Sequence, residues 1–114
     1  SRHLLFIASG TGIAPFHSFV KSNPDADYQV IHGVRTIDEA YDAGVYDQDK
    51  LLVCTSRDAR GSFEGRLTDY LHHAEIDPEW MIYLCGNSQM IYDAMEILQQ
   101  RGVPQLHLFT EVYF

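Results

Sequence analysis

Positive charge is scarce in this chain: 8 Lys and Arg stand against 16 Asp and Glu, for a formal net charge of −8. Nucleic acids and anionic membranes reward basic surfaces, so neither is expected as a partner. An anionic ligand stays open, because it needs only a local cluster of cations. Cysteine is scarcer still. Cys54 and Cys85 are the only two, and each ends an apolar run, L-L-V-C and M-I-Y-L-C. Both read as buried thiols of a reducing compartment rather than as a disulfide framework. Two cysteines this far apart, with six scattered histidines, make no zinc pattern, so no metal is expected. No apolar run approaches the ~20 residues of a membrane span. The charge-poor, glycine-containing start reads as strand and turn, not as a signal peptide. Internal repeats and low-complexity tracts are absent as well. The expectation that remains is one cytoplasmic domain over residues 1–114, without membrane insertion and with a single core.

What is present is an alternation of short apolar runs with helical patterns. Strands are expected at residues 4–8, 28–34, 51–55, 79–85 and 106–109. Helices are expected at 14–21, 37–43, 67–73 and 88–100. Pro15 suits the first turn of its helix. Thr36, with Glu39 three residues on, forms a capping pattern for the weak 37–43 helix. The 88–100 helix is the strongest, capped by Asn87 or Ser88, with Ile91, Ala94, Met95 and Leu98 on one face. Gly102 and Pro104 stop it. Strands separated by helices imply an α/β fold: an open five-stranded parallel sheet with helices on both faces.

Three motifs carry chemistry. In L-L-F-I-A-S-G-T-G-I-A-P-F, an apolar strand ends in Gly10-Thr11-Gly12 ahead of a helix. Free N–H groups and the helix dipole converge there, and Ser9 and Thr11 add hydroxyl donors. The motif lacks the third glycine of G-x-G-x-x-G and has no phosphate-loop lysine. It reads either as a pyrophosphate cradle or as a plain tight turn. The second motif is a run of arginines. Arg35, Arg57, Arg60 and Arg66 are half of all Lys and Arg. Arg35 and Arg57 follow strands, Arg66 enters a helix, and Thr55 and Ser56 stand beside Arg57. On one edge of a parallel sheet, such forks and hydroxyls suit a phosphate monoester such as the 2′-phosphate of NADP. The same arginines also suit surface pairing with Asp58 or Glu64. The third motif, Y-L-C-G-N-S-Q-M, puts Cys85 and Gly86 at a strand end. No base lies near Cys85 in the sequence, so it reads as a packing residue rather than a nucleophile.

Together, Gly10 to Pro15, S-R-D-x-x-G-S-F-E-G-R and C-G-N-S-Q-M resemble the pyridine-nucleotide-binding half of the ferredoxin–NADP reductase superfamily, over essentially the whole chain. The resemblance implies a Rossmann-like domain that binds a nicotinamide dinucleotide, with NADP(H) favoured over NAD(H). It implies that FAD is bound mainly by a preceding β-barrel in the same protein, whose Arg-x-Tyr-Ser/Thr signature this chain lacks. The chain is then expected to be a carboxyl-terminal domain of a longer protein, inactive by itself. Residue by residue, Gly10, Thr11 and Gly12 match the turn over the pyrophosphate, with Ser9 and Pro15 adjoining. Ser56 and Arg57 match the clamp on the 2′-phosphate, with Thr55 beside them. Arg35 and Arg66 match further phosphate-binding arginines. Cys85 and Gly86 match the pair beside the nicotinamide, and Asn87 and Met90 follow in the same motif. Glu111 matches an acidic residue near hydride transfer. Tyr113 matches an aromatic that covers the flavin, with Phe114 competing for that role. Thr11, Cys85, Glu111 and Tyr113 would shape the nicotinamide pocket. Ferredoxin or flavodoxin would exchange electrons with the whole protein. The branch of NADH-dependent reductase components of multicomponent oxygenases shares the architecture, and Gly65 to Asp69 resembles one of its segments. A non-catalytic α/β interaction or regulatory module is the remaining alternative.

Overall fold

A computed structural model describes residues 3–112. Its sheet is wholly parallel and six-stranded, in the order β4-β3-β2-β1-β5-β6. The strands are β1 (Leu4–Ser9), β2 (Tyr28–Val34), β3 (Leu51–Thr55), β4 (Phe63–Glu64), β5 (Met81–Gly86) and β6 (Leu108–Val112). The helices are α1 (Ala14–Ser22), α2 (Leu67–Leu71) and α3 (Ser88–Gln100).

Side-chain alternation divides the core. On β1, Leu5 and Ile7 pack with α2 and α3, while Phe6 and Ala8 pack with α1. On β5, Ile82 and Leu84 join the α2/α3 layer and Cys85 joins the α1 layer. Helices therefore cover both faces, as expected. Cys54 and Cys85 are both buried, on opposite faces. Three strand spacings, about 14 Å, separate their strands, too far for a disulfide between them.

The sheet has one strand more than the sequence predicts. β4 is two residues long and pairs Phe63 and Glu64 with Cys54 and Thr55. Its main chain is fixed by flanking bonds, Ser62 N–H to Val53 O at 2.8 Å and Gly65 N–H to Thr55 O at 2.8 Å. A pairing this short leaves no alternation to read. The expected helix at 37–43 shrinks to a 3-10 turn at Ile37–Glu39. The turn stops at Ala40, whose ψ of +60° is not helical, and Asp42 beyond it is left-handed at φ +55°. The last strand begins later, because residues 105–107 form a 3-10 turn with Leu106 exposed.

β1 lies between β2 and β5, so successive connections leave it in opposite directions. The carboxyl ends of β1 and β5 therefore flank the topological switch point, where open α/β sheets hold ligands. Among the described residues no helix is long and apolar enough to cross a membrane.

Candidate functional site

The two glycine turns meet at the switch point. After β1, Gly10–Ile13 form a 3-10 turn that runs into α1. Gly10 sits at φ +53°, with no atom within 4 Å of where a Cβ would stand. That turn thus exposes bare backbone to open space. Gly12 faces inward: a Cβ there would lie 2.5 Å from the Gly86 Cα. Gly86 has φ +129°, and a Cβ on it would lie 2.3 Å from Ser9 Oγ. Only two glycines allow these backbones to touch.

Polar contacts lock the junction. The Asn87 N–H donates to Ser9 Oγ at 2.9 Å. Asn87 Oδ1 in turn accepts from the Met90 N–H at 3.0 Å, capping α3. On β2, His32 is buried, with Nε2 2.8 Å from Gly10 O. A carbonyl only accepts, so Nε2 carries the proton. Burial lowers the His32 pKa, which favours a neutral ring.

In front of this junction lies a cavity of about 710 Å3. Ser9, Gly10 and Thr11 line one side, and Asn87 and Met90 another. Arg35, Ser56, Arg57 and Arg66 line the far end. The strand ends are tied together there, Ser56 N–H to Val34 O at 3.0 Å and Arg57 N–H to Arg35 O at 2.8 Å. Arg66 stands at the N-cap of α2, its N–H given to Asp69 Oδ2 at 3.0 Å. Among the described residues, neither Arg57 nor Arg66 has a carboxylate within ion-pair distance.

The other two arginines are committed. Arg35 Nη2 lies 2.6 Å from Glu39 Oε2. Arg60 reaches Asp38 and Asp58, each at 3.0 Å. Asp58 also accepts from the Ile37 N–H at 3.0 Å, which helps to hold its carboxyl at about 2. This pins the loop after β3 to the loop after β2.

Several expected residues stand elsewhere. Thr55 is buried and donates its hydroxyl to Asp58 O at 2.8 Å, so it shapes the loop and does not line the cavity. Gly12 is buried behind the turn. Pro15 and Cys85 line a second, more apolar cavity of about 440 Å3 on the α1 face of β5 and β6, with Phe6, Phe16, Tyr83 and Phe109. Glu111 pairs with Cys85 in the β5–β6 register. Tyr113 and Phe114 lie outside the described residues.

Thr68, Gln89 and Asp93 also line the large cavity and were not anticipated there. Glu39 lines it too; the sequence shows it both as a capping residue and as an acidic residue close to the end of the second strand, where an NAD ribose would want one. Gln89 and Asp93 carry an i, i+4 signal, and Gln89 Nε2 donates to Asp93 Oδ1 at 3.0 Å.

Comparison with known proteins agrees with this geometry. The family described as "Oxidoreductase NAD-binding domain" matches residues 6–96. The chain is 26% identical over 99 residues to a probable dihydroorotate dehydrogenase B (NAD(+)), electron transfer subunit, of Thermoplasma volcanium, covering 87% of this chain and 38% of that protein. It spans less than half the length of the curated relatives it matches. Its fold resembles the FAD/NAD-binding domain of nitric oxide dioxygenase from Vibrio cholerae, with TM-score 0.84 and 17% identity, covering 99% of this chain and 52% of that one. It also resembles a ferredoxin-NADP+ reductase variant from Plasmodium falciparum in complex with 2'P-AMP, with TM-score 0.70 and 21% identity, covering 98% of this chain and 53% of that one.

Proposed function

The chain belongs to the oxidoreductase NAD-binding domain family, and from that premise we propose that it holds a nicotinamide dinucleotide across the switch point and presents it to a flavin carried by another part of a longer protein. The observation that carries this reading is the convergence of the Gly10–Thr11 turn and the Ser56–Arg57–Arg66 ends on one cavity. The first offers backbone donors and hydroxyls at the start of a helix, suited to a pyrophosphate. The second offers two uncommitted guanidiniums and a hydroxyl, suited to a 2′-phosphate. That supports NADP(H) as the favoured nucleotide.

Nicotinamide and flavin together supply hydride transfer when both are bound. The chain's own residues bind, orient and exclude water. Thr11 and Met90 approach from the large cavity, and Cys85 sits at the apolar one, 4% exposed. In this reading Cys85 packs against the nicotinamide and Glu111 serves beside it in register. Tyr113 or Phe114 covers the flavin until nicotinamide displaces the ring. Pro15, Phe16 and Phe19 of α1 border the apolar cavity on the α1 face of β5 and β6, and that cavity supports contact with an FAD-bearing domain. Electrons would leave for a carrier such as ferredoxin or flavodoxin.

An NADH-using reductase component is the second reading. Glu39, ionised beside the end of β2, favours it, since a carboxylate there accepts from a ribose 2′-hydroxyl. Calorimetry with 2′,5′-ADP and 5′-AMP tests the first reading against the second. Tighter 2′,5′-ADP binding, weakened about tenfold or more by Arg57→Ala, supports NADP(H). Equal affinities end that assignment.

A further inference from the structure

We propose that His32 is a positioning residue of this site: from inside the sheet it draws the Gly10 carbonyl back and thereby turns the Thr11 N–H toward the pyrophosphate of a bound dinucleotide. The proposal rests on the dinucleotide reading above and deepens it.

His32 is fixed before any ligand arrives. It sits on β2, an interior strand, in register with Ala8 of β1 on one side and Val53 of β3 on the other. Two residues after Val30, its side chain falls on the α1 face, and it is 1% exposed. A polar ring in that place is costly unless it is hydrogen-bonded, and Nε2 meets Gly10 O at 2.8 Å. Burial lowers the ring's pKa, His17 adds to the shift, and the Gly10 bond and Glu39 oppose it. The neutral ring has one N–H, and the bond to a carbonyl places it on Nε2.

Residue 10 does not hold its own peptide plane. Glycine adopts either sign of φ, and here it is +53° with open space where a Cβ would stand. The 3-10 turn that begins there is four residues long, and its hydrogen bonds have poorer geometry than those of an α-helix. A rotation of the Gly10–Thr11 peptide would present a carbonyl oxygen to an incoming phosphate. His32 opposes that rotation. In a planar trans peptide the C=O and the next N–H point in opposite directions. With Gly10 O directed inward at a buried ring, the Thr11 N–H is directed outward. Gly10 and Thr11 are both exposed, and both line the large cavity. At the first turn of a helical segment that N–H has no acceptor within the segment. A phosphate oxygen takes that place, and its charge strengthens the bond.

The test is calorimetry on the 114-residue chain with two probes that share adenine and a 2′-phosphate. One, 2′-phospho-ADP-ribose, carries the pyrophosphate; the other, adenosine 2′-monophosphate, does not. The variants are His32→Phe, which keeps a ring without a donor, His32→Gln, which keeps a donor, and Arg57→Ala. His32→Phe is expected to lower the affinity ratio, first probe over second, about tenfold, the weight of one charge-assisted hydrogen bond. His32→Gln should keep the ratio within about twofold of the unmodified value. A general loss of packing would weaken both probes together and leave the ratio where it was. Two readouts need no variant. Ring nitrogen shifts of the free chain should place the His32 proton on Nε2. The Thr11 amide proton should move downfield with 2′-phospho-ADP-ribose and stay in place with adenosine 2′-monophosphate. A bare Nε2, a Thr11 amide indifferent to the pyrophosphate probe, or an equal fall of the ratio in His32→Gln and His32→Phe overturns the role of His32. A ratio unchanged in His32→Phe, while Arg57→Ala still weakens both probes, overturns that role and leaves the dinucleotide site standing. Binding of neither probe to the unmodified chain overturns both.

Discussion

A Cβ on Gly12 would lie 2.5 Å from the Gly86 Cα, so Gly12→Ala must push two backbones apart. Neither backbone can yield as a flexible side chain would. Thermal melts should show a loss of about 1–3 kcal/mol, the range for overpacking a tight interior. Gly10→Ala meets no atom, and its cost comes from the left-handed backbone at φ +53°, about 1–2 kcal/mol. A Gly12→Ala chain that melts like the unmodified one would contradict the contact between the two turns. The buried histidines of the α1 face make a second residue-scale prediction. His17 and His32 both have pKa values lowered by burial. His17 is 7% exposed, and neither of its ring nitrogens has a hydrogen-bond partner among the described residues. The unfolded chain binds protons at these sites near pH 6.5, before the folded one does. Stability should therefore fall as pH drops from 6.5 toward the lowered native values, and be fully present above 6.5. Melting curves between pH 7.5 and about 5 check this. His32→Gln, which retains a donor for Gly10 O, should flatten the slope in that window. An unchanged slope in a His17→Phe/His32→Gln chain would assign it to other groups.

Among the elements, α3 was the most legible in the sequence and is the most regular in the structure. Its apolar spacing puts Ile91, Ala94 and Leu98 in the core, and its bounds match residue for residue. Asn87→Ala should cost about 1 kcal/mol as a lost cap. Its main chain would still reach Ser9 Oγ, so the glycine junction should persist, and the melt should stay a single transition. β1, β2, β3 and β5 were legible for a related reason: each is an apolar run bounded by turn residues. What the sequence hid has physical causes. β4 consists of main-chain bonds over two residues and leaves no hydrophobic pattern. The segment after β2 has helix-like capping residues, but Glu39 spends its carboxylate on Arg35 as well as on backbone N–H groups. Charge pairing was legible only as an alternative. Four arginines in one span read either as a cationic cluster or as surface residues paired with Asp58 or Glu64, and the folded loops pair Arg60 with Asp58 and Asp38 and Arg35 with Glu39. The glycine turns, in contrast, were readable at both ends, though not their contact, because Gly12 and Gly86 stand 74 positions apart in the sequence.

For the molecule as a whole, connection direction explains where function gathers. The chain moves from β1 outward to β4, returns past β1 to β5, and ends at β6. That path brings Ser9-Gly10-Thr11, Arg57, Arg66 and Asn87 to one edge although they span most of the sequence. The net charge of −8 is compatible with an anionic ligand because this edge collects Arg57 and Arg66, which have no carboxylate within ion-pair distance among the described residues. Amide chemical shifts read in solution while NADPH is titrated into the chain test this convergence most directly. The account predicts that Gly10, Thr11, Ser56, Arg57, Arg66 and Asn87 shift together along one binding isotherm. Shifts confined to one of these turns, or none at saturating nucleotide, would contradict it.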